Sequence, residues 1–118
     1  MKLEIRADHQ VAMAFLRGYA ERRTRAALER FERDVTGVAV DVGDANGPRG
    51  GPDDKYCRIS AHVPGVGAVF AKSAASDVDA AVDRAAERIE RAVARAIARA
   101  RGRTNDTLRN TASEREEA

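Results

Sequence analysis

SDVDAAVDRAAERIERAVARAIARARG, residues 76–102, is the stretch that decides the fold. Arg84, Arg88, Arg91, Arg95 and Arg99 recur in it at steps of four, three, four and four. On an α-helix, at 100° per residue, all five fall within an arc of roughly 80°, and the row runs about 22 Å. Val78, Val82, Ala85, Ile89, Val93, Ala96 and Ala100 form an apolar stripe centred roughly 120° away, the mark of a helix packed on a core. Asp79, Asp83, Glu87 and Glu90 take the remaining side. The predicted helix is three-sided: apolar, acidic and basic. Ser76 with Asp79 reads as a capping box, so the helix is expected to start near Asp77, and Gly102 to end it. Read from spacing alone, the arginine row fits a polyanion-binding surface or a solvated helix face with ordinary i,i+4 pairing such as Glu87 to Arg91.

Working outward, Lys2 to Arg6 alternates and reads as a short strand, and Val11 to Phe31 has helical periodicity. Ala12, Phe15, Leu16, Tyr19, Ala27, Leu28 and Phe31 supply its apolar face, with Asp8 the nearest candidate cap and Gly18 placed for close packing on a sheet. Arg22, Arg25 and Arg33 point outward from it. Strands are predicted over Val35–Gly43, Lys55–Val63 and Ala68–Ser73, the second alternating Cys57, Ile59, Ala61 and Val63 against Tyr56, Arg58, Ser60 and His62. The order β-α-β-β-β-α gives a two-layer α+β domain, a four-stranded sheet with both helices on one face. Residues 1–102 form that domain, and residues 103–118, which lack periodicity, are expected to be a disordered acidic tail.

Charge is local. The 118 residues carry 21 basic and 19 acidic side chains, a formal net charge of +2. Between Arg84 and Arg103 there are seven arginines and two glutamates, a local charge of +5, whereas Thr104–Ala118 carries −2. Aromatics at 4% leave a small aliphatic core and few stacking platforms, which argues against sequence-specific single-strand readout. No apolar run reaches the ~20 residues of a membrane span. A single cysteine excludes an intrachain disulfide, and a cytoplasmic protein without a membrane partner is expected.

The loop Asp44-Ala45-Asn46-Gly47-Pro48-Arg49-Gly50-Gly51-Pro52-Asp53-Asp54 is longer than a hairpin needs. It reads either as a solvated tip or as a mount from which Arg49 reaches a phosphate. It is not a P-loop, because no Gly-Lys-Ser/Thr follows and a strand comes next. Asp41, Asp44, Asp53 and Asp54 lie near strand ends, without calcium-loop spacing or a histidine partner, so no metal or other cofactor is expected. Cys57 reads as core, His62 as a surface residue and His9 as a loop residue. No nucleophile–base arrangement is visible, so no enzyme and no small-molecule substrate are expected.

The opening Met1-Lys2-Leu3-Glu4-Ile5-Arg6, then Leu16-Arg17-Gly18-Tyr19, Leu28-Glu29-Arg30-Phe31, His62-Val63-Pro64-Gly65, Ala80-Ala81-Val82-Asp83 and Glu87-Arg88-Ile89-Glu90-Arg91 carry a resemblance. In order and spacing over residues 1–101 the chain resembles the ribosome hibernation factors, the ribosome-associated inhibitor A or sigma-54 modulation protein family, in its short form. The resemblance implies a fold related to double-stranded RNA-binding domains. It implies a non-enzymatic factor that binds the small ribosomal subunit and its ribosomal RNA in the decoding region, blocking translation or preserving idle ribosomes. It places Arg88, Arg91 and Arg95 at the family's basic last-helix positions, and Arg22 and Arg23 at basic positions late in its first helix. Arg84 and Arg99 join by geometry, and Arg25 and Arg49 complete the candidate RNA-binding set. Asp79 replaces a common aromatic, Ala92 a common glutamine and Met13 a common Thr or Ser, and the glycine-rich loop is longer than in the common form. Without the long form's second domain, pairing of ribosomes by such a domain is not expected of this chain. The alternative is a general RNA-binding or protein-interaction module using the same arginine row.

Overall fold

Alternation of buried and exposed side chains builds the sheet. In the computed structural model the backbone is described for residues 1–7, 13–45 and 54–117, and side chains for 1–7, 16–45 and 54–102. Strands β1 (Lys2–Ala7), β2 (Gly37–Asp44), β3 (Lys55–Val63) and β4 (Gly67–Ala75) form one sheet in the order β1-β2-β3-β4. β1 runs parallel to β2, pairing Leu3 with Val38 and Ile5 with Val40, which requires the crossover supplied by helix α1 (Met13–Leu28). The other two pairings are antiparallel, with Val40 opposite Ile59 and Ile59 opposite Ala71. The β3–β4 turn is tight because Gly65 and Gly67 both take positive φ, 84° and 107°, which side chains with a Cβ disfavour.

One face of the sheet is covered and the other is open. Val38, Val40, Val42, Cys57, Ile59 and Ala61 are buried beneath the helices, together with Leu16, Leu28 and Phe31. Helix α2 begins at Val78 and packs against β3, β4 and α1. Its apolar stripe holds: Val82, Ala85, Ile89, Val93 and Ala96 are buried, joined by Ala81, Ala86 and Ile97. Small side chains there let the helix lie close to the sheet, close enough for the buried Ser73 hydroxyl of β4 to donate to the Ala81 carbonyl. The expected β-α-β-β-β-α layout is the one observed.

Three local readings are corrected. The α2 cap is Asp77, whose Oδ1 accepts the Ala80 N–H at 2.8 Å, so the Ser76–Asp79 box is displaced by one residue. Gly18 does not admit the sheet: a Cβ there would meet the Arg22 guanidinium at 3.0 Å, so the gap serves a side chain of the same helix. Gly102 does not end α2, which runs to Glu117 where composition predicts a disordered tail. A glycine costs about 1 kcal/mol in a helix interior but stops it only where the backbone turns left-handed, and at Gly102 it does not. Asp8 and the start of the first helix at Val11 lie outside the described residues.

Candidate nucleic-acid interface

The three sides of α2 meet three different surroundings. The apolar side rests on the sheet, as described. The acidic side faces α1 and its continuation, the 3₁₀ turn Glu29–Phe31. Arg23 Nε lies 3.2 Å from Asp83 Oδ1, Arg23 Nη2 lies 3.9 Å from Glu87, and Arg30 lies 3.6 Å from Glu90. Tyr19 donates its hydroxyl to the same Asp83 carboxylate. That hydrogen bond, with burial and the nearby negative charge of Asp83 and Asp79, pushes the Tyr19 phenol up to about 12. Partly exposed pairs of this kind contribute at most about 1 kcal/mol each, and they agree with the rotation of α2 that its buried apolar stripe sets.

The basic side is thereby turned away from α1, toward the edge strand β4. Arg84 donates from Nη1 to the Ala74 carbonyl at 2.8 Å, and Arg88 from Nη1 to the Lys72 carbonyl at 2.6 Å. Each uses one of five guanidinium N–H groups, so most donors remain open to solvent. Arg91, Arg95 and Arg99 are exposed and, among the described residues, make no ion pair or hydrogen bond through their side chains. Asp83, Glu87 and Glu90, the described carboxylates nearest the row along the helix, are paired with Arg23 and Arg30 instead.

The α1 candidates separate from this row. Arg23 is held by Asp83 and Glu87, Arg25 pairs with Glu21 at 3.2 Å within its own helix, and Arg22 is exposed beside Gly18. The acidic seam lies between α1 and the α2 arginines, so the two helices do not merge their basic groups into one patch across it. Arg49 lies outside the described residues. Sequence reasoning leaves Arg58 and Lys72 out of the site. They are exposed and directly opposite each other on β3 and β4, next to Arg88. The alternating pattern puts both on the open face, but their juxtaposition needs the strand register.

Other candidates resolve locally. The Lys55 ammonium lies between Asp44 Oδ2 at 2.8 Å and Asp54 Oδ1 at 3.1 Å, so a lysine is the cation between these two strand-end carboxylates; Asp53 is outside the described residues. These hydrogen bonds, Asp44 first, raise the Lys55 pKa. Among the described residues no group of three or more His, Cys, Asp or Glu converges as a metal site would. Cys57 is fully buried, and burial together with Asp41 pushes its thiol up to about 12, so it is a protonated core residue at neutral pH. His62 is exposed on the open face of the sheet.

A four-stranded sheet with one face covered by two helices, the second carrying an exposed cationic flank, defines a small α+β domain. The chain belongs to the sigma 54 modulation protein / S30EA ribosomal protein family, a ribosome-associated family whose model matches residues 3–101. The structure is similar to the N-terminal domain of Thermus thermophilus Protein Y, at 25% identity and TM-score 0.65, covering 80% of this chain and 98% of that one. It is also similar in fold to a ribosomal subunit interface protein from Coxiella burnetii, at 14% identity and TM-score 0.67, covering 83% and 99%. No curated protein matches the sequence. No described helix is long and apolar enough to cross a membrane.

Proposed function

We propose that this protein is a non-enzymatic cytoplasmic factor that binds the small ribosomal subunit and its ribosomal RNA, and thereby inhibits translation or keeps idle ribosomes intact. Membership of a ribosome-associated family supports the setting. One observation carries the mechanism: Asp83, Glu87 and Glu90 of α2 pair with Arg23 and Arg30, leaving the row Arg84, Arg88, Arg91, Arg95 and Arg99 without a carboxylate partner among the described residues. Guanidinium groups stay charged at any physiological pH and pair bidentately with phosphate oxygens, and a rigid row of them matches a repeating phosphate backbone. Binding of this type occludes a surface of the subunit and needs no catalytic group. Of the α1 candidates, a further phosphate is assigned to Arg22, because Arg23 and Arg25 already pair with carboxylates.

The test replaces Arg88, Arg91 and Arg95 with Ala together and follows co-sedimentation with isolated small subunits across a salt series. Loss of co-sedimentation is expected, with the slope of log affinity against log salt reduced by about 0.7 to 0.9 for each phosphate no longer neutralised. Undiminished co-sedimentation of this variant would take the row out of the mechanism.

A further inference from the structure

The open face of the sheet carries a pattern that the α2 row does not explain. Phe70 is exposed there to 65%, the large hydrophobic side chain most open to solvent among the described residues. One step along the same face, Arg58 and Lys72 stand directly opposite each other on β3 and β4. Like charges in that position destabilise a strand pair; Asp41, opposite Arg58 on β2, offsets part of this for Arg58, whereas Lys72 on the edge strand has no such neighbour and, among the described residues, neither cation makes an ion pair. Lys72 is also the residue whose carbonyl accepts from Arg88, so Arg84, Arg88, Lys72 and Arg58 form a run of cations that turns round the β4 edge from helix to sheet. Further across, Asp41 and Arg6 continue the Arg58 row, so the excess of positive charge is concentrated at the β4 side.

Beside Phe70 the sheet is worn down. Ser60, its cross-strand neighbour, lies with Gly37, Ala39 and Ala68 in the floor of an open recess of about 400 Å³, which His62 and Glu4 edge with polar groups. Small residues at this end of the sheet face, beside the β3–β4 turn, leave room for a flat ring to lie against the strands. Residues two apart on a strand are about 6.6 Å apart, so a ring on Phe70 and an anion on Lys72 and Arg58 are placed one repeat from each other.

We propose that the open sheet face binds a single-stranded RNA segment, one base stacked on Phe70 over this recess and the adjoining phosphate held by Arg58 and Lys72. The strand is continuous with the backbone engaged by Arg88 and Arg84 round the β4 edge. Aromatic side chains on an open sheet are a general means of holding unpaired bases, and flanking cations supply the sequence-independent part. This inference rests on the RNA-binding reading above, and it adds a second, single-strand surface to the helix row.

The experiment uses the full chain and a short fluorescein-labelled oligouridine, read by fluorescence anisotropy. Phe70→Ala is expected to weaken binding roughly tenfold, near the low end of one stacked base, and Phe70→Trp to retain it. Replacing Arg58 and Lys72 with Gln together is expected to lower the salt slope by about 0.7 for each phosphate the variant no longer holds. With 4-thiouridine in the probe, photo-crosslinks are expected to map to the β4 peptide containing Phe70. Wild-type affinity in the Phe70→Ala variant overturns the proposal, as does displacement of oligouridine by polyglutamate of equal charge. The two readings fail separately: small-subunit co-sedimentation of the α2 triple variant tests the helix row, and oligouridine binding by the Phe70 variants tests the sheet.

Discussion

Tyr19 is the residue on which the two helices agree. Its hydroxyl donates to Asp83, which also takes the Arg23 guanidinium, so side chains 60 or more positions apart in sequence meet at one carboxylate. The sign of the pH effect follows from the phenol. Its ordinary value is near 10, and in the folded protein it is pushed up to about 12, so the folded state keeps a proton that the unfolded chain has released. The stabilisation is fully present below pH 10 and is lost as pH rises toward 12. Tyr19→Phe is therefore expected to be less stable than wild type at neutral pH, by about 1–2 kcal/mol, and to lose less stability over that alkaline window, as urea denaturation at stepped pH will read. None of this is legible in the sequence. Asp83 is one of four acids on a helix face, and only the packing of α1 selects it.

At the scale of the element, the hydrophobic period locates both helices and all four strands, because alternation and a 3.6-residue repeat reflect burial directly. Boundaries are harder. Ser76 and Asp77 both qualify as caps by residue type, and the choice depends on which backbone enters the helix first. Asp77 is the cap observed, so Asp77→Ala is expected to cost about 1 kcal/mol in thermal or chemical denaturation, with Ser76→Ala near silent. Gly102 misleads for a related reason, since a glycine ends a helix only where its positive φ is used. The edge strand β4 shows what local pattern leaves out altogether. Its open carbonyls at Lys72 and Ala74 are occupied by Arg88 and Arg84, which blunts an edge otherwise free to pair with another chain.

Across the whole molecule, the sequence discloses three differently charged sides of one helix but not what each faces. Arg22 and Arg25 look like neighbours of the α2 row because both helices cover the same sheet face. The acidic seam keeps them apart, and the cations that do adjoin the row, Lys72 and Arg58, come from strands. A prediction at this scale separates holding from binding. Replacing Arg91, Arg95 and Arg99 together with Gln is expected to leave the melting midpoint close to wild type, since exposed substitutions away from any partner stay within about 0.5 kcal/mol each, while RNA affinity and its salt dependence both fall. Circular dichroism melts and binding titrations on the same preparations check both halves.

The seam between the helices has a consequence for how such a protein can change over time. In the proposed function, cohesion draws on the carboxylates of one flank and grip on the guanidinium groups of the other, with no side chain shared between the two duties at Arg91, Arg95 and Arg99. Substitutions in that stretch can therefore raise or lower hold on a polyanion step by step, and the scaffold underneath tolerates each intermediate.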